Sequence, residues 1–181
     1  MRSLLTILCA LAAVPALAQS PPAEYVRQAA LADFVLAFRE EGEGNLIEER
    51  VPRGETVERW TRMVTVQRFA GTAQRLSPSN VLENIQTTLP GGCPGATTSS
   101  IRTFTVSGRR AAQMRADCPL LAQTGRPETF LILAIAGGSD MHLAQVAFRR
   151  VPTSEDIAWA DRQLASVALC TAASREAVCR R

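Results

Sequence analysis

Ser139, Asp140 and His142 lie within four residues of one another, and His142 is the chain's only histidine. A hydroxyl, a carboxylate and an imidazole are the groups of a hydrolytic relay: the imidazole takes the nucleophile's proton and the acid orients the imidazole. The spacing argues against that use. A serine nucleophile of this kind sits on a strained elbow of the form Gly-x-Ser-x-Gly, and no such run occurs. Ser and Asp are ordinary residues of a hairpin turn. The alternation that follows places His142 on one face with Ala144, Val146 and Phe148. A packed histidine is therefore the expected role. A hydrolase-like enzyme using His142 with Asp140 or Ser139 is the alternative, and no residue is assigned as catalytic.

The acids Glu40, Glu41, Glu43, Glu48 and Glu49 supply oxygens that suit calcium. They lack the aspartate spacing and terminal bidentate glutamate of a helix–loop–helix site, so a solvated turn is expected, with no metal and no cofactor. The stretch GETVERWTRMVTVQRF, residues 54 to 69, carries the other candidates. Trp60 could anchor a ligand or partner, with Glu55 and Arg62 beside it. The competing role for Trp60 closes one end of the core, its indole N–H bonded to a carbonyl or to Glu55. The alternating run after Trp60 favours core first and contact surface second.

Four of the five cysteines follow residue 20. The first twenty residues read as an export leader: Arg2, an apolar run from Leu4 to Val14, and an Ala16-Leu17-Ala18 cleavage site. The expected division is a signal peptide over 1–18 and one domain over 19–181. The apolar run is too short for a dedicated bilayer anchor. In an exported, oxidising space, Cys93, Cys118, Cys170 and Cys179 read as two disulfides with three possible pairings. Cys93–Cys118 and Cys170–Cys179 are favoured because hairpin and helix geometry brings each pair close. In the chain-entropy view they would add roughly 3.5 and 2.7 kcal/mol. No Cys-x-x-Cys occurs, which removes a thioredoxin-like redox role. The spacings do not suit zinc knuckles.

The 20 basic residues are all arginine and are scattered along the chain, against 17 acids, for a net charge of +3. No basic block points to nucleic acid. A periplasmic or secreted location is expected, with an envelope protein or small ligand as partner.

The elements that position these residues follow from periodicity. FVLAF at 34–38 and LIEERV at 46–51 flank a Gly-rich turn and read as a hairpin. A helical register through Val26, Ala30, Phe34 and Phe38 competes, so residues 25–38 stay open between helix and strand. Ser77 can cap a helix with Pro78 in its first turn and an apolar stripe of Val81, Leu82, Ile85 and Leu89, stopped at Pro90-Gly91-Gly92. IRTFTV and AAQMRAD form a second hairpin. TFLILAIA and MHLAQVAFRR form a third, its first arm apolar on both faces as in a central covered strand. A last helix, capped at Thr153 with Asp156, runs on through Leu169 with Ile157, Ala160, Leu164, Val167 and Ala168 inward.

The run IEERVPRGETVERWTRMVTVQRF resembles a pattern of uncharacterised exported bacterial proteins, E-x-V-P-x-G-x-T-V-x-x-W-T-x-M-V-T-V, over about 25 residues. It marks kinship and implies no chemistry. The element order resembles the α/β/α sandwich of the PsbP-like extrinsic photosystem subunits, which implies a binding or assembly module. Read from the residues themselves, the fold class is α+β: a single antiparallel sheet of about six or seven strands, with two main helices mostly on one face. A non-catalytic exported binding protein is the function these features favour.

Overall fold

The computed structural model describes residues 24–180; the leader reading falls on residues outside that range. Local signals set both helices. Helix α1 (Pro78–Gly92) begins where the Ser77 hydroxyl accepts the Asn80 N–H and Asn80 Oδ1 accepts the Ser77 N–H, with Pro78 in the first turn. Helix α2 (Ser154–Ala165) begins with the same reciprocal pair between Thr153 and Asp156. Each box satisfies amide donors that the helix cannot satisfy itself.

Ten strands follow the apolar alternation: β1 (Tyr25–Arg27), β2 (Phe34–Gly42), β3 (Asn45–Pro52), β4 (Arg62–Phe69), β5 (Thr97–Thr98), β6 (Arg102–Val106), β7 (Arg109–Leu121), β8 (Arg126–Ala136), β9 (Met141–Phe148) and β10 (Ala168–Cys170). Eight of them make one antiparallel sheet in the order β2-β3-β4-β9-β8-β7, with β5 and β6 both on the outer edge of β7. The chain from Phe34 is strand, which settles the open helix-or-strand choice for that part of 25–38. Glu43 and Gly44 turn the β2–β3 hairpin with positive φ of 52° and 79°. A Cβ on Gly44 would also stand 2.9 Å from that of Ala70.

Three expectations are corrected. The main sheet has eight strands, not six or seven, because the long β7 carries two short partners along one edge. A second, two-stranded sheet exists: α2 stops at Ala165, and Ala168–Cys170 pairs with Tyr25–Arg27 where the helical stripe was expected to continue. The helices also lie on opposite faces. Leu82 of α1, with Val81, Ile85 and Leu89, packs on Ala112, Met114, Phe130 and Ile132. Ala160 and Leu164 of α2 pack on the other face, on Leu131, Leu133, Ala144 and Val146. The cause lies in β8, whose even and odd residues are both apolar; a strand of this kind needs cover on each side. The result is an α/β/α sandwich.

The cysteines stand in the favoured pairs at disulfide distance. Cys93 and Cys118, with Cα atoms 5.8 Å apart, tie the end of α1 to β7. Cys170 and Cys179, 5.6 Å apart, tie the tail to β10.

Candidate functional site

Because α1 covers β7 and β8, the same face of β2, β3 and β4 has no helix above it among the described residues. Register fixes what that face presents. Phe38, Glu49, Thr65, Gln145 and Ile132 form one row across β2, β3, β4, β9 and β8. The neighbouring row joins Met63, Ala147 and Phe130. The row of Glu49, Thr65 and Gln145 interrupts an otherwise apolar surface with three polar side chains.

Two loops arch over this interruption. Val57 and Trp60 come from the β3–β4 connection; Gln123 and Thr124 come from the β7–β8 turn, next to Leu121 at the end of β7. They border an open-mouthed cavity of about 270 Å³ whose wall also holds Glu49, Glu128, Gln67 and Arg149. A shallower trough of about 430 Å³ adjoins it along β3 and β4, with Ile47, Phe69 and Glu40, and Gln67 borders both. Phe38 and Phe69 remain 38% and 37% exposed on this side.

The cavity's electrostatics follow from its burial. Burial pushes the Glu128 carboxyl above its usual range; Arg149 pulls it down and Glu49 pushes it up further. Burial alone raises Glu49. Thr65 is only 7% exposed and lines the cavity, and its hydroxyl is not a buried atom without a partner among the described residues. The Arg149 guanidinium lies over the Trp60 ring and donates from Nη1 to the Glu58 carbonyl at 2.8 Å, leaving its buried Nε without a partner.

The three sequence-nominated contact residues separate in space. Trp60, 6% exposed, lines the cavity and belongs to the core at once. The Glu55 carboxylate accepts from the Thr61 N–H at 2.7 Å and the Thr61 hydroxyl at 2.8 Å, so it pins the loop that carries Trp60. Arg62 points to the opposite face, over the rings of Trp159 and Phe34. The sequence reading missed Thr65, Gln145, Glu128 and Arg149, and placed Glu49 in a solvated turn whereas it is a half-buried β3 residue. A signal was present: Thr65, Gln67 and Gln145 are polar on an inward-facing register.

The hydrolytic alternative meets a different geometry. Asp140 Oδ1 accepts from the Gly71 N–H at 3.0 Å and the Ser139 hydroxyl at 2.7 Å. His142 is 1% exposed, and among the described residues its Nε2 has no partner. Burial lowers its pKa, against the Glu24 and Asp140 carboxylates, which raise it, and Arg68, which lowers it. The serine hydroxyl therefore donates its hydrogen bond to the acid, and among the described residues it makes none to the imidazole. Among the described residues no group of three or more metal-ligating side chains gathers. No described helix is long and apolar enough to cross a membrane.

This architecture is an antiparallel α/β/α sandwich with the fold of Mog1. The Saccharomyces cerevisiae Ran-binding protein Mog1p superposes with a TM-score of 0.52 at 8% identity, over 81% of this chain and 94% of that one. A mutant Mog1 structure gives 0.51 at 8% identity, over 84% and 98%. LpqN of Mycobacterium tuberculosis, involved in cell envelope biogenesis, reaches 0.44 at 12% identity over 84% and 87%, too distant to carry an argument. No protein-family model and no curated protein matches the chain. At these identities the likeness defines the fold and leaves activity to the site.

Proposed function

We propose that this chain is an exported, non-catalytic binding protein that takes its ligand on the open half of the α1 face, in the cavity beside Trp60. The observation that carries the reading is the polar row: Thr65 stands between Glu49 and Gln145, and all three line a preformed cavity. A few polar groups converging on a preformed cavity suit a ligand. Export is supported by the leader-like start of the sequence and by the two cysteine pairs at disulfide distance. In this reading Trp60 forms the cavity wall, Glu55 holds it in place, and Arg62 braces the back of the sheet. A protein partner would engage the adjoining trough with Phe38 and Phe69, and the Ran-binding role of Mog1p shows that such a sandwich can serve a protein partner.

The test fills the cavity. Thr65→Leu places an apolar side chain across the row, and native mass spectrometry of the exported protein compares bound small molecules. Wild type carries a ligand that Thr65→Leu loses while its thermal unfolding stays cooperative. Equal loads in both would show that the ligand site lies elsewhere.

A further inference from the structure

The cavity beside Trp60 has a charge imbalance that its own residues leave open. Two carboxylates, Glu49 and Glu128, border it, and one cation, Arg149, stands with them. Arg149 is held in place by Trp60 and the Glu58 carbonyl, and it lies close enough to Glu128 to act on its charge. Glu49 has no such cation. It sits on β3 opposite Thr65 of β4, half-buried, and the neighbouring Arg50 pairs with Glu48 instead. Its oxygens are not buried atoms without a partner, so they stay accessible to a donor that enters the cavity.

The rest of the wall supplies the complementary features. Thr65, Gln67, Gln145 and Gln123 provide neutral acceptor oxygens, and Met63, Val57, Leu121 and Ala147 an apolar surface. Resting on the binding role argued above, we infer that the cavity is a site for a small organic monocation, an alkylammonium-type group. Its N–H donors would meet the Glu49 carboxylate and the Thr65 hydroxyl, and its short apolar tail would lie against Met63 and Ala147. The one cation already in the wall illustrates the preference: a guanidinium rests on the Trp60 ring at 4.0 Å from the centroid, as aromatic faces favour. One ligand cation makes the count of acids and bases equal. An anion would face two carboxylates, and a neutral alcohol would leave the Glu49 charge uncompensated.

The experiment titrates the folded chain with n-butylammonium chloride and, separately, with n-butanol at pH 7.5. The Trp60 indole N–H and the Thr65 and Gln145 amides are followed by heteronuclear NMR. Butylammonium gives saturable shifts at these resonances and butanol gives none. Glu49→Gln weakens butylammonium at least about tenfold, which corresponds to about 1.4 kcal/mol. Glu155→Gln, an exposed acid in the first turn of α2 on the other face of the sheet, leaves binding unchanged and controls for general charge. Equal binding of butanol and butylammonium, or an unchanged affinity in Glu49→Gln, overturns the cation assignment. So does the absence of any butylammonium shift; the ligand comparison with Thr65→Leu then still decides separately whether the cavity binds anything.

Discussion

The guanidinium of Arg149 stacks on the ring of Trp60 at 4.0 Å and ties β9 to the loop that enters β4. Trp60 is fixed from three sides: by the core beneath it, by Arg149 above it, and by Glu55 clamping Thr61 next in the chain. A cavity wall made this way is preformed, so a ligand need not order it.

That relationship is measurable. A double-mutant cycle of Arg149→Leu and Trp60→Phe, read by urea unfolding, gives a coupling of about 1 kcal/mol, within the range of partly desolvated cation–aromatic pairs. A coupling of zero would mean that the stacked pair does not hold the loop.

Glu128 carries a stability cost that its removal exposes. Its folded carboxyl is raised by burial, so between the ordinary value and the raised one the folded chain holds a proton that the unfolded chain has released. Stability from this group falls as pH rises through that window. Arg149 and Glu49 are the charged groups that act on it. Glu128→Gln is expected to raise stability at pH 7 by about 1 kcal/mol, with little effect at pH 4. Urea unfolding at both pH values checks this, and a loss of stability at pH 7 would assign Glu128 a supporting ion pair with Arg149.

His142 titrates in the opposite sense. Its pKa is lowered by burial among Glu24, Asp140 and Arg68, so the unfolded chain takes up the proton first as pH falls below 6.5. Acidification from 6.5 down to its folded value therefore destabilises the protein. His142→Gln removes that slope, which denaturation across pH 5 to 7.5 measures directly. An unchanged slope would place the pH dependence in other groups.

The two cystines differ in what they close. Replacing Cys93 and Cys118 by serine removes a constraint on 25 residues of separation and should cost about 3.5 kcal/mol. The Cys170 and Cys179 pair closes 9 and should cost about 2.7 kcal/mol at most. Since it lies at the tail, part of that loss should appear as fraying of β10 from β1 by hydrogen exchange. Equal losses from the two pairs would contradict the loop-length account.

The sequence carried the elements wherever a local rule was decisive. Ser77 with Asn80 and Thr153 with Asp156 marked both helix starts, and the doubly apolar β8 announced a central strand. Helix placement was harder, because a stripe on α2 states which side is buried and not which sheet face receives it. The β1–β10 ribbon escaped because partners 141 to 145 positions apart, Tyr25 with Cys170 and Arg27 with Ala168 at its ends, pair through the backbone and leave no periodic trace. The site was legible only as Trp60. Glu49, Thr65, Gln145 and Glu128 come from four strands, and only the register places them together.

The binding surface itself is tested most directly by amide and indole NMR of the folded protein against a panel of small charged and neutral fragments. Perturbations should gather on Trp60, Thr65, Gln67 and Gln145. Perturbations gathered instead on Phe104 and Leu164, across the sheet beside α2, or an unmoved Trp60 signal throughout, would contradict the account.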